Sequence, residues 1–122
     1  MTGTLVDTNV ILRYLIDDDE EQSLIAEHII DGGAWTTPEV LAEITWVLES
    51  VYQQKRERIT TALIEIANRV TLEPQDVTIK AIDEYDKTNL DFVDCMLVAY
   101  DKLGISKVFT FDKGINRRLN AQ

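Results

Sequence analysis

"TLVDTNVILRYLIDDDEEQ", Thr4 to Gln22, is the stretch on which the fold turns. A short apolar run ends on Asp7, Thr8 and Asn9 follow, and a second apolar run starts at Val10. Thr4-Leu5-Val6 reads as a short buried strand. Val10 to Ile16, interrupted by Arg13, reads as a short helix. A buried segment that ends on a carboxylate needs a reason, because an unpaired charge is costly to remove from water.

The alternation continues along the chain. Glu20 to Asp31 is amphipathic, with Leu24, Ile25, Ile29 and Ile30 expected on its inner side, and Gly32-Gly33 is a natural stop. Ala34-Trp35-Thr36 reads as a second strand, and Pro38 opens a helix over about Glu39–Tyr52. In it Val40, Leu41, Ile44, Val47, Leu48 and Val51 recur at helical spacing. A helix over Arg56–Arg69 turns Ile59, Leu63, Ile66 and Ala67 inward, and Val70-Thr71-Leu72 reads as a third strand. Helices are expected from Pro74 to Lys87 and from Phe92 to Leu103, the second ended by Gly104. "KVFTF", Lys107 to Phe111, reads as a last strand before a short terminal helix. Short strands separated by helices imply an α/β fold: a three-layer single domain over 1–122, with a short parallel sheet flanked by helices.

A chain of 122 residues suits one domain, and 45% hydrophobic residues supply a core. No apolar run is long enough for a membrane span, which takes about 18 residues. The first residues lack the basic-then-apolar pattern of a secretory signal. The single cysteine, Cys95, excludes an internal disulfide and fits a reducing cytoplasm. A net charge of −10 argues against loose nucleic-acid binding, which depends on clustered cations. The charge is uneven, however. Asp17 to Glu21 are all acidic, whereas Lys102, Lys107, Lys113, Arg117 and Arg118 face one acid, Asp112, from position 102 onward.

Two aspartates follow apolar strand candidates: Asp7 after the first, Asp112 after "VFTF". In parallel sheets ligands bind beyond the carboxyl ends of the strands, where strand order reverses. Each Asp alone is explained as a helix cap or turn residue; the pair points to a site. Glu43 lies at the border of the apolar stripe of its helix, facing solvent or a cleft. Asp91 and Asp94 share a helix face. Asp91 is explained as an N-cap, but Asp94 lies one turn inside a helix that is otherwise mostly apolar. Gathered carboxylates repel one another and their pKa values rise. A divalent cation removes that conflict, and Mg²⁺ or Mn²⁺ prefers oxygen ligands. Such ions activate water, neutralise phosphate and stabilise a leaving oxygen. A structural zinc is not expected, since Cys95 and His28 cannot form its usual cage. His28 reads as a surface residue, Cys95 as a buried thiol, and Trp46 as core or dimer interface.

The four acids in this order resemble the PIN domain, and within it the VapC-type toxins of toxin–antitoxin pairs. "LVDTNVILRYL" is similar to the family's opening motif, and "TPEVLAEITWVL" to the helix that carries its Glu. "LDFVDCMLVAYDKLGI" is similar to the helix whose second Asp lies in the site, and "VFTFDKGINR" to the closing strand. The resemblance implies a metal-dependent endoribonuclease in which Asp7, Glu43, Asp94 and Asp112 hold Mg²⁺ or Mn²⁺. Asn9 and Thr110 match supporting positions, Thr8 buttresses the turn, and Asp91 is a cap or outer ligand. It further implies an RNA substrate cut to 5′-phosphate and 3′-hydroxyl ends, a homodimer, and a small antitoxin protein. An antitoxin Arg would suit the carboxylates, because a guanidinium meets a carboxylate through two hydrogen bonds. Lys113, Arg117, Arg118 and Arg13 are candidates to line the RNA groove, or else to form solvated helix faces.

Other folds also start with Asp after a first strand. A haloacid-dehalogenase-type phosphatase needs a second acid where Asn9 stands. A response-regulator receiver needs an acidic pair after the first strand, an Asp after the third and a Lys after the last, and these are not found. A PIN-like scaffold that binds RNA or a partner without cleaving it would separate from an enzyme by metal-dependent cleavage.

Overall fold

Residues 3–120 are described by a computed structural model, and among them are three strands and seven helices. In chain order these are β1 (Thr4–Leu5), α1 (Thr8–Leu15), α2 (Glu20–Asp31), β2 (Ala34–Thr36), α3 (Pro38–Ser50), α4 (Arg56–Arg69), β3 (Thr71–Leu72), α5 (Gln75–Lys87), α6 (Phe92–Lys102) and α7 (Lys113–Asn116). They group into two compact units, one reaching to Glu73 and one beginning at Pro74.

The first unit holds a parallel sheet in the order β1-β2-β3. Thr4 lies opposite Ala34, and Trp35 opposite Thr71. Val6 N–H donates to the Trp35 carbonyl and Glu73 N–H to the Thr36 carbonyl, each at 3.0 Å. The fully buried Thr36 hydroxyl donates to the Val6 carbonyl at 2.9 Å, so it ties the ends of β1 and β2 together. Close approach at the other end requires glycine. Gly3 has φ +97, and a Cβ there would stand 3.0 Å from the Gly33 carbonyl oxygen. Gly33, at φ +102, turns the chain out of α2. Strand order follows chain order, so the expected reversal is not found among the described strands.

The core of this unit is built from Ile11, Leu12, Leu41, Ile44, Leu48, Ile59, Leu63 and Ile66. In α2 the buried side chains are Ala26 and Ile30, four residues apart on one face, while Leu24 and Ile25 point to solvent. Val51 is exposed past the end of α3. Trp46 is 64% exposed, so it is not a core residue.

The second unit packs α5 against α6 with α7 alongside α6. Val77, Ala81, Tyr85, Phe92, Cys95, Val98 and Ile115 fill it, with the Tyr85 and Phe92 rings 6.3 Å apart. The expected strand over Lys107–Phe111 does not form. The segment belongs to none of the strands, and Phe109 and Phe111 are 83% and 90% exposed. Alternating apolar residues make a strand only where a neighbour accepts their backbone hydrogen bonds, and none does so here among the described residues. Asp112 therefore follows an extended segment and opens α7, rather than ending a sheet strand.

Glu84 lies in the middle of this unit, on α5, with a side chain only 1% exposed. Arg118 grips it with both arms, Nε to Oε1 and Nη2 to Oε2, each at 3.1 Å. Lys102 Nζ adds contacts at 3.1 Å to Oε1 and 3.3 Å to Oε2. Burial alone would push the Glu84 carboxyl up; the hydrogen bonds from Arg118 and Lys102 outweigh it and hold the group below its ordinary 4.5. A carboxyl lowered on folding stabilises the fold above its unfolded pKa, and that contribution is lost as pH falls through the lowered folded value. Glu84→Gln is therefore expected to cost about 3 kcal/mol at neutral pH, as for one partner removed from a buried pair. In urea denaturation at stepped pH, the gap to the parent should close only below the ordinary 4.5 of a glutamate. A gap that stays constant into strong acid would show that the ion pairs do not stabilise this unit.

Candidate functional site

Aspartates at helix N-termini dominate the candidate residues. An N-cap side chain accepts a hydrogen bond from a backbone N–H that has no partner within the helix. Asp7 does this for α1, taking Val10 N–H at 3.1 Å. Asp91 does it for α6, taking Asp94 N–H at 3.0 Å. Asp112 does it for α7, taking Ile115 N–H at 2.8 Å. Each bond uses one carboxylate oxygen, Oδ1, so capping and ligand binding are not exclusive roles.

In the first unit Asp7 stands at the rim of a hollow of about 510 Å³, lined by Leu5, Val10, Ile29, Thr37 and Val40. Asn9 is exposed in the first turn of α1, and Thr8 is buried beneath it. Glu43 is exposed on α3, between the half-buried Val40 and Val47, as its border position implied. Arg13 pairs with Asp18, at the end of α1.

In the second unit Asp94 is half-buried in the first turn of α6. Burial first, then the charges of Asp91 and Asp112, push its carboxyl above the ordinary value. These three acids therefore feel one another. Thr110 organises the approach to Asp112: its hydroxyl accepts Asp112 N–H at 3.0 Å, and its carbonyl accepts Asn116 Nδ2 at 3.0 Å. Gly114 completes the turn. A Cβ there would lie 3.1 Å from Asp112 Oδ1 and 3.2 Å from Leu90 Cδ2, so the α7 N-terminus sits against the residue before Asp91.

Lys113 and Arg117 are exposed, and no ion pair among the described residues engages either. Arg118 differs from them, because both its arms are taken by Glu84. Glu84 is the residue that sequence reasoning missed; its place on the buried stripe beside Ala81 and Tyr85 was the available signal. His28 is exposed and Cys95 buried, as read from the sequence.

The oxygen-only donors Asp7, Glu43, Asp91, Asp94 and Asp112 fit the chemistry of a hard divalent cation. Among the described residues, however, no three His, Cys, Asp or Glu side chains are grouped closely enough to hold one.

The fold is α/β, with aspartates capping α1, α6 and α7 and the charges of Asp91 and Asp112 acting on Asp94. The family model of the PIN domain matches residues 4–118, and the chain belongs to that family. PIN domains are generally nucleases and usually bind divalent metals. No curated protein and no solved structure matches the chain. None of its described helices is long and apolar enough to cross a membrane.

Crowding around Asp94 has a measurable consequence. With chelator present at neutral pH, Asp94→Asn is expected to melt a few degrees above the parent, because a partly buried charge beside two like charges is removed. About 1 kcal/mol of relief corresponds to roughly 2–8 °C at this size. A lower melting temperature would mean that the Asp94 carboxylate stabilises the fold and is not held there against it.

Proposed function

We propose that the chain is a metal-dependent endoribonuclease that hydrolyses RNA phosphodiester bonds to 5′-phosphate and 3′-hydroxyl ends. In this reading it is the toxin of a type II toxin–antitoxin pair, a single PIN domain over 1–122 acting in the cytoplasm as a homodimer and silenced by a small antitoxin protein. The observation that carries the catalytic part is the match of the PIN domain model to residues 4–118, in a family that is generally nucleolytic; the closeness of Asp91, Asp94 and Asp112 supports it.

Asp7, Glu43, Asp94 and Asp112 would hold Mg²⁺ or Mn²⁺, with Asp91 as an outer partner. When bound, the ion supplies water activation and charge neutralisation at the phosphate. The chain's own residues do the rest. Asp7 and Asp112 are fixed at Oδ1 by their capping bonds and present Oδ2. Thr110 holds the Asp112 backbone, and Asn9 supports the first motif. Lys113 and Arg117, exposed beside Asp112, meet RNA phosphates. Exposed Trp46 belongs to the dimer face. The charge balance also favours an antitoxin Arg as the competitor for the site, since a guanidinium neutralises a carboxylate bidentately.

The test is cleavage of total RNA by purified protein with Mn²⁺ or Mg²⁺, with chelator, and with Asp7→Asn and Asp94→Asn. Discrete cuts with 5′-phosphate ends are expected, abolished by chelator and reduced at least about 100-fold by each substitution. Cleavage that survives chelator would overturn the metal role. Absence of both cleavage and Mn²⁺ binding would leave a PIN-like scaffold that binds RNA or a partner.

A further inference from the structure

Glu84 is an unusual investment for a small unit. A carboxylate this deeply buried is costly unless it is fully paired, and here three hydrogen-bond donors from two cations meet its two oxygens. Its partners come from different places. Lys102 ends α6, the helix that carries Asp94 and is capped by Asp91. Arg118 follows α7, the helix capped by Asp112. One side chain on α5 therefore fastens both elements that bear the second unit's acids.

A helix the length of α7, four residues, has no stability of its own, because nucleation costs more than one turn returns. Several attachments among the described residues hold it. Ile115 is buried, Gly114 rests on Leu90, and Asn120 N–H donates to Asp101 at 2.6 Å. The Arg118–Glu84 fork is the charged and bidentate one among them, and such forks fix direction as well as distance.

We propose that Glu84 is a positioning residue: through Lys102 and Arg118 it fastens α7 to α6 and so sets where Asp112 stands relative to Asp91 and Asp94. Arg118 then belongs to the scaffold of the acidic site, not to the RNA groove. The inference rests on the metal-dependent nuclease reading for its functional consequence, but the latch itself is testable without it.

Arg118→Met is the primary variant, because it releases α7 while leaving Glu84 paired with Lys102, so the α5–α6 packing is retained. Mn²⁺ alone is the probe, titrated into the full chain without RNA. Groups hydrogen-bonded directly to metal ligands typically change affinity about 10–100-fold; Arg118 acts one step further out, through α7, so a loss of about tenfold is expected. Amide exchange at Ile115, whose N–H is capped by Asp112, should quicken at least about tenfold while Ala81 and Val98 stay slow. Arg118→Lys, which keeps the charge but not the fork, should recover part of both. A raised KM for RNA with kcat, Mn²⁺ affinity and Ile115 exchange unchanged would overturn the proposal and make Arg118 an RNA ligand. If the parent chain takes up no Mn²⁺, the metal reading fails on its own. The latch is then judged on Ile115 alone: faster exchange upholds it, and unchanged exchange overturns it.

Discussion

A carboxylate at a helix N-terminus is fixed twice, by its own short side chain and by the backbone N–H it accepts. That constraint organises this protein. Asp7, Asp91 and Asp112 each cap a helix through Oδ1. A cap of this kind contributes about 1 kcal/mol to its helix. It also holds a negative charge where the positive end of the helix dipole tolerates it. The same bond that starts the helix therefore fixes one carboxylate oxygen and leaves the second without that bond. Asp94 has no such arrangement. It is half-buried, lies inside the first turn of α6 and is pressed by its neighbours, so its charge is opposed by the fold.

Glu84 and Asp94 show how one small unit treats two acids in opposite ways. Glu84 is more deeply buried, yet its carboxyl is lowered because Arg118 and Lys102 surround it. Asp94 is less buried, yet its carboxyl is raised, first by burial and then by the negative charges of Asp91 and Asp112, which add to burial where Glu84's partners oppose it. Burial pushes both upward; at Glu84 the cationic partners reverse the sign, and at Asp94 the acidic neighbours reinforce it. A protein selected only for stability would resolve the Asp94 conflict as it resolves Glu84, with a cation of its own. The family's usual use of divalent metals gives a reason for leaving it open.

Much of this was legible in the sequence because it is local. Gly32-Gly33, Pro38 and the periodic apolar residues of α3 and α4 mark element ends and faces through backbone geometry alone, and the helix over Arg56–Arg69 falls where the pattern puts it. The caps at Asp7, Asp91 and Asp112 were legible for the same reason. What the sequence could not convey is pairing at a distance. "KVFTF" has strand-like alternation, but pairing depends on a neighbour 100 residues away or none. Trp46 has a core residue's chemistry and a surface residue's position on its helix. Arg118 looked like one more basic residue of a cationic tail, because its partner Glu84 lies 34 residues earlier. The proposal that Asp7, Glu43, Asp94 and Asp112 act together rests on motif order, which local physics does not encode.

The engagement of Arg118 and Lys102 changes how the acidic charge should be understood. Five cations follow position 101 in the sequence, but two of them, Lys102 and Arg118, are engaged by Glu84, whose one negative charge balances one of the two; Lys107, Lys113 and Arg117 are in none of the ion pairs among the described residues. For single strands the salt dependence of binding scales as about 0.7 per phosphate contact, so three cations yield only a shallow electrostatic term. On a chain of net charge −10 such a term cannot hold RNA indiscriminately. RNA bound as proposed would therefore have to be held by shape and by what meets the carboxylates themselves. On the proposed reading, the three cations of this tail outside the ion pairs of the described residues favour a selective RNA substrate over a general one.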